Sequence, residues 1–440
     1  LPRVWLIDQK RDREIVRLAL PALGALAAEP TYLLVDTAVV GHLGTTQLAA
    51  LGLAATFLAS LFWLFNFLAN ATTTQIANAF GAAQHHRVGT IAAQAVWLAL
   101  IIGAGLALFG AVFAPQIVEL LQARGKVAEH AATYLRISAF GAPMVMLALA
   151  GQGWARGVQR MSVPLKILVA SNVLNLVLEV LFIYGFGWGI AGSAWGTVIA
   201  QTFAAALFLW TMREVLAGKL KRHADEMRAL LVFGGDLFVR TGLMLLSFNV
   251  INALLARQGA TPLAANQILF QLMVFLALVM DSVAISGQTL IGRELGAGLR
   301  EPALMWERRV TTLSVMAGTV LALLLAAGHD LIPQAFTSDT AVLAEVSRVW
   351  WLFVIYVLLS SLIYAWDGVL LGGGDSRAMM WILVAAAAMA LPTALLLIND
   401  AATAIVGAWI AYSVLNLGRL VGSAIRVRSG AWAESSQSQA

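Results

Sequence analysis

Ionisable and amide side chains set inside long apolar runs are where this sequence could do chemistry. In the first run Glu29, Tyr32 and Asp36 are three and four residues apart, which stacks them on one helix face. In the fifth, Asn172, Asn175 and Glu179 repeat that spacing. A charge at mid-membrane depth costs roughly 3 kcal/mol or more, so carboxyl groups there are rare without a purpose. Two acidic stripes facing one bundle interior would make a cation or proton site.

Other buried groups carry a plainer reading. A lone amide or hydroxyl in a span is more often a bond between helices than a binding group. Asp236 and Arg240 lie four apart and read as a mutually neutralising structural pair, while Asp367, near the end of its run, reads as reaching water. Glu29 stands beside Pro30, which removes a backbone donor and is expected to kink the helix, so Glu29 serves equally well as site member or kink support. Asp281 has no evident cation nearby in sequence. With Glu29 and Asn172 it forms a second rank of candidates.

The elements that must position these residues are membrane helices. The chain is 60% hydrophobic and 12% charged with a mean hydropathy of +0.83, more apolar than the surface of a soluble 440-residue protein allows. About twelve runs are long enough to cross roughly 30 Å of hydrocarbon, at 15–40, 47–76, 88–114, 132–155, 163–185, 190–212, 229–256, 262–290, 308–328, 345–371, 378–398 and 402–424. The expected fold class is all-α and integral to the membrane: twelve helices in two six-helix lobes related by a pseudo-two-fold axis along the membrane normal. The first run follows Arg11 to Glu14 and is too long for a signal-peptide core, so no cleaved leader is expected.

The two lobes rest on an internal repeat. Residues 35–82 laid over 250–297 need no gap and share 13 of 48 positions, among them Gly44 with Gly259 and Ile76 with Ile291. Gly157 and Gly372 fall at the same offset of 215, and at that offset Asp281 answers Asn66 while Ile251 answers Asp36. Duplication in an apolar chain is a mark of secondary transporters, whose substrate path lies between repeats. Residues 1–213 and 229–440 are the expected lobes, joined by the polar linker 214–228.

Of the 28 Lys and Arg residues, 22 fall on one set of alternate loops and termini and five on the other, with Arg240 inside a span. That bias places both termini in the cytoplasm. The net charge of +5 is dispersed through loops rather than gathered in a patch, which argues against a nucleic-acid partner. Gly187-Trp188-Gly189-Ile190-Ala191-Gly192 has the letters of a dinucleotide fingerprint, yet it joins two spans and reads as a tight turn. The six histidines are scattered, His85 and His86 read as a solvated pair in a loop, and there is no cysteine. No nucleophile, metal set or diphosphate motif supports an enzyme, and no cofactor is implied.

With Pro21, Asp36 and Gly41-His42-Leu43-Gly44 on the first helix, the chain resembles the multidrug and toxic compound extrusion (MATE) family over nearly its whole length. It is most similar to the DNA-damage-inducible F (DinF) subgroup, whose amino-lobe site looks like Tyr32, Asp36, Asn175, Glu179 and Thr197 here. The family pattern of Asn-x-x-x-acid, a glycine-rich turn and Gly-x-Ala-x-x-Thr runs in register from Asn175 to Thr197. One departure is Glu179, where the family usually has Asp. The longer side chain alters the geometry offered to a metal ion more than it alters proton affinity.

The resemblance implies multidrug efflux by antiport, in which organic cations leave as protons enter by alternating access, with Asp36 and Glu179 as a coupled proton site and sodium as the alternative coupling ion there. It implies a monomer in the inner (plasma) membrane whose partners are small, mostly cationic organic substrates, protons or sodium ions, and the lipid bilayer. A lipid-linked precursor flippase or an organic-acid exporter of the same superfamily is the alternative; a flippase would place basic residues in the cavity to hold a pyrophosphate.

Overall fold

A computed structural model of the protein describes residues 8–435; the chain ends, with Arg3 among the counted basic residues, lie outside them. The described residues are almost entirely helical. α1 (Gln9–Gly41) is followed by α2 (Thr45–Phe65), α3 (Phe67–Gly81), α4 (His85–Leu120), α5 (Gly125–Ala139), α6 (Ala142–Gly157) and α7 (Ser162–Val180). One π-helical turn, Leu181–Gly185, leads on to α8 (Gly189–Leu216). The second half holds α9 (Ala224–Gln258), α10 (Ala260–Gly296), α11 (Arg300–Ala327), the short α12 (Leu331–Gln334), α13 (Thr340–Gly372), α14 (Ser376–Leu397), α15 (Ala404–Arg428) and α16 (Trp432–Ser435).

Eleven spans are long and apolar enough to cross a membrane, α2 and α3 counting as one, and α5 with α6, bent by 51°, completes a set of twelve. The fold is therefore the expected all-α membrane architecture of two six-helix lobes. Most helices start earlier and end later than the apolar runs because polar residues continue the backbone hydrogen bonds beyond the hydrocarbon, although α11 and α14 stop one residue short of theirs and α15 starts two residues into its run. α1 stays helical through both Pro21 and Pro30. His85 and His86 are exposed as expected, but they open α4 rather than sit in a loop.

The spans are built inside out relative to a soluble bundle. On α7, Ser171, Asn175 and Glu179 recur every four residues and are buried, while Val169, Val173 and Val177 recur on another face and are exposed. In hydrocarbon an outward valine costs nothing, and each inward polar atom needs a protein partner.

Packing divides the chain into two compact units, residues 24–234 and residues 1–23 with 235–440. The division falls inside α1 and inside α9, which stand 215 residues apart. Within the first unit the segment between α8 and α9 is pinned to α4. Gln94 donates to Lys221 O at 2.9 Å and accepts from His223 N at 3.1 Å, Trp97 donates to Leu220 O, and Arg87 pairs with Glu226 at 2.8 Å.

The repeat is visible atom by atom. Gly44 and Gly259 precede α2 and α10 with φ of 131° and 130°, a conformation that a side chain would strain. A Cβ on Gly153 would lie 2.6 Å from Ala69 O, and one on Gly368 would lie 2.4 Å from Ala284 O. Gly157 meets Ile76, and Gly372 meets Ile291. Gly192 closes on Phe182, and Gly407 on Leu397. Each of these pairs is related by 215 residues, so the same close helix contacts recur inside each half.

Two charge assignments are corrected in the second unit. Arg240 does not pair with Asp236 but with Asp367, at 2.5 Å, while Asp236 accepts from Ser376 Oγ at 2.7 Å. Asp367 is not left to water, because Arg419 also reaches the same oxygen at 2.9 Å. Four residues of sequence separation bring two side chains into range, but here α13 and α14 supply better-placed partners.

Candidate functional site

The site is built where α1, α5, α7 and α8 meet inside the first unit. α1 contributes Tyr32 and Asp36, one helical turn apart. α7 contributes Asn175 and Glu179 at the same interval, and α8 contributes Ser193 and Thr197, again four apart. Close approach of α8 to α7 depends on missing side chains: a Cβ on Gly196 would lie 3.2 Å from Glu179 Cγ, and Gly192 is as tightly placed against Phe182. Tyr184, in the π-helical turn, donates to Val39 O at 2.6 Å and ties the end of α7 to α1.

Thr197 Oγ1 sits at one end of the cluster. It lies 2.9 Å from Tyr32 Oη and 3.3 Å from Asn175 Nδ2, and it donates to Ser193 O at 3.0 Å. Its single proton is thus committed to the carbonyl, so Tyr32 must be the donor in the first contact. Asn175 Oδ1 is buried without a hydrogen-bond partner.

Ser193 Oγ sits at the other end, 3.0 Å from Asp36 Oδ1 and 2.9 Å from Glu179 Oε1. Asp36 is 1% exposed, and Glu179 and Ser193 are 0% exposed. The two carboxyl groups lie close enough to act on each other. Ionised carboxylates only accept, so a single hydroxyl proton cannot serve both acids at once. Tyr134 of α5, also buried, adds its hydroxyl to the charges and hydroxyls of Asp36, Glu179, Thr197 and Ser193. Among the described residues no basic side chain bears on either acid.

Tyr32, Asp36, Asn175, Glu179 and Thr197 therefore share one cluster. Ser193 and Tyr134 join it without having been singled out in the sequence. The four-residue interval between Ser193 and Thr197 on one helix was the available signal for Ser193; Tyr134 offered none beyond an aromatic ring in a span. The second-rank candidates lie elsewhere. Glu29 is exposed, Asn172 Nδ2 donates to Ala28 O at 2.9 Å and so staples α7 to α1, and Asp281, half-buried in the second unit, acts on Tyr364.

At the repeat offset the second unit has no such site. Asp36, Tyr134, Asn175, Glu179, Ser193 and Thr197 are answered by Ile251, Val349, Ala390, Ala394, Ala408 and Tyr412, all members of one buried apolar cluster. α10 also runs unbroken through Asp281, whereas its counterpart Asn66 separates α2 from α3.

Chemically, the site offers two carboxyl groups, an unpartnered amide oxygen and four hydroxyls in an enclosed space. Such a set can hold a proton, and its hard oxygens Asp36, Glu179, Asn175 and Thr197 are of the kind that take sodium. No group of three His, Asp or Glu residues able to hold a metal occurs among the described residues.

Comparison with known proteins agrees with this architecture. The MatE family model matches residues 21–181 and 237–396, once in each half of the repeat. The chain is 31% identical over 390 residues to the DNA damage-inducible protein F of Escherichia coli (strain K12), covering 86% of this chain and 84% of that one. It is 30% identical over 442 residues to Protein DETOXIFICATION 44, chloroplastic, of Arabidopsis thaliana, covering 96% and 84%. Among solved structures, the eukaryotic MATE transporter AtDTX14 superposes with a TM-score of 0.86 at 18% identity, over 98% of both chains. Its fold, its duplicated family match and its similarity to these relatives make this chain a member of the MatE family of multi-pass membrane transporters.

Proposed function

We propose that the protein exports organic cations in exchange for protons by alternating access, with Asp36 and Glu179 as the proton-coupling pair. The observation that carries this is the pair itself: two buried carboxyl groups that share the Ser193 hydroxyl, with no basic side chain among the described residues to neutralise them. Opened to an acidic exterior, the pair gains a proton and loses the negative charge that attracts a cation. Opened to the cytoplasm, it releases the proton and the attraction returns. One proton exchanged for one monovalent cation moves no net charge, so the pH gradient, about 1.4 kcal/mol per unit, is what drives uphill export at that ratio, and each further proton would add about 2.3 kcal/mol per 100 mV of membrane potential.

Relatives support the cargo class. Two similar proteins, 24% and 21% identical, are multidrug export proteins of Staphylococcus saprophyticus and Staphylococcus haemolyticus. The charge bias of the loops supports cytoplasmic termini in the plasma membrane, and one chain contains both lobes, so a monomer suffices.

The decisive experiment places purified protein in liposomes and imposes proton and sodium gradients separately while efflux of a fluorescent organic cation is recorded. Export driven by the proton gradient alone is expected. Indifference to that gradient would remove the proposal, and response to sodium alone would reassign the ion.

A second reading, export of organic acids, is favoured by one observation: Arg240 and Arg419 converge on a single oxygen of Asp367 in the second unit. Efflux of a labelled tricarboxylate from the same liposomes tests it.

A further inference from the structure

We infer that Ser193 is a positioning residue of the proton site, whose hydroxyl stabilises the state in which Asp36 and Glu179 share a single proton and carries that proton from one to the other. The inference rests on the proton-coupled reading above and names a residue that reading does not require.

A serine hydroxyl has one proton and two lone pairs. Ser193 Oγ nevertheless lies within hydrogen-bond distance of two carboxyl oxygens, at 3.0 and 2.9 Å. With both acids ionised, one of those contacts would be oxygen against oxygen with no proton between, in a place closed to water. With one acid protonated both contacts are satisfied, since that acid donates to Ser193 and Ser193 donates to the ionised one. Thr197 takes the Ser193 carbonyl, not its Oγ, and Tyr134, which also faces that Oγ, can donate to it without using its proton. The titratable groups facing this point are Asp36 from α1, Glu179 from α7, and Tyr32 and Tyr134 from α1 and α5, none of them basic.

The repeat supplies an independent comparison. Position 408 answers 193 and holds an alanine, also 0% exposed. A small side chain is therefore enough for the helix contact, and the hydroxyl is present in the copy that has the acids. Transfer balances: the O–H bond of protonated Glu179 breaks as a new bond forms at Ser193 Oγ, and the original serine proton passes to Asp36. The serine is restored, one proton has moved, and the cluster keeps a charge of minus one throughout.

Loss of the hydroxyl removes a donor from the ionised acid and an acceptor from the protonated one, so it disfavours the singly protonated pair relative to both neighbours. In proteoliposomes, the pH profile of cation export by Ser193→Ala is expected to narrow from both sides, by about one pH unit in total, an effect the size of one charge-assisted bond. Ser193→Thr, which keeps a hydroxyl, is expected to retain the wild-type width. Infrared titration of the protonated carboxyl band in Ser193→Ala and in Ser193→Cys should show the two steps drawn together, a readout that needs only folded protein. A wild-type width in Ser193→Ala, or a threonine variant as narrow as the alanine one, overturns the inference. Asp36→Asn separates the two ideas. If it keeps proton-driven export the underlying reading fails, whereas if it loses export while Ser193→Ala matches wild type, only the role of Ser193 fails.

Discussion

Asp36 and Ile251 occupy the same position in the two copies of the repeat, and both are shut away from solvent, one 1% and the other 0% exposed. The first is bonded into a polar cluster; the second belongs to an apolar core. Matching helix contacts therefore surround two chemically opposite interiors.

That asymmetry predicts a division of labour. Asp36→Asn and Glu179→Gln should each abolish proton-driven export, and the double variant should be little worse than either, because the pair acts as one titrating unit. Asp281→Asn should retain most activity when equal amounts of folded protein are reconstituted. Efflux rates under an imposed pH gradient decide it, and a loss at Asp281 as large as that at Asp36 would relocate the coupling site to the second unit.

The shared scaffold makes a second expectation. Gly153→Ala and Gly368→Ala push a methyl group against a backbone carbonyl at the same place in each repeat. Both should lower stability, each by about 1–3 kcal/mol, the usual cost of overpacking. Thermal unfolding of the two variants in detergent should show shifts of similar size, and a large effect at one with none at the other would mean that the contacts are not equivalent.

Charge pairing in the second unit gives a third. Asp367→Asn leaves Arg240 and Arg419 without their common carboxylate and should cost about 3–5 kcal/mol. Asp236→Asn keeps an acceptor for Ser376 and should cost no more than about 1 kcal/mol. Comparing the yield of folded protein and the unfolding temperature of the two distinguishes this pairing from one between Asp236 and Arg240, under which Asp236→Asn would be the harmful change.

The sequence carried the architecture because a membrane imposes length, polarity and repeat on it: the spans, the 215-residue offset and the stripes through Asp36 and Glu179 can all be counted. Individual partners were less legible. Asp236 and Arg240 looked paired because local spacing was the only distance on view, while Asp367 and Ser376 were brought close by helices more than 120 residues away. Ser193 was hidden differently, in an unspecified position of the Gly-x-Ala-x-x-Thr pattern, where small residues usually serve packing. The break at Asn66 and the unbroken α10 at Asp281 were equally invisible, since both segments have the same hydropathic pattern.

The one-to-one correspondence of the cluster with Ser247, Ile251, Val349, Ala390, Ala394, Ala408 and Tyr412 has a consequence for engineering. A frame that accepts either lining at the same coordinates along the chain is, in effect, a socket. Seven substitutions made together, Ser247→Tyr among them, should transplant the acidic lining into the second copy, whereas any one acid introduced alone would stand among hydrocarbon without the hydroxyl and amide that receive it in the first.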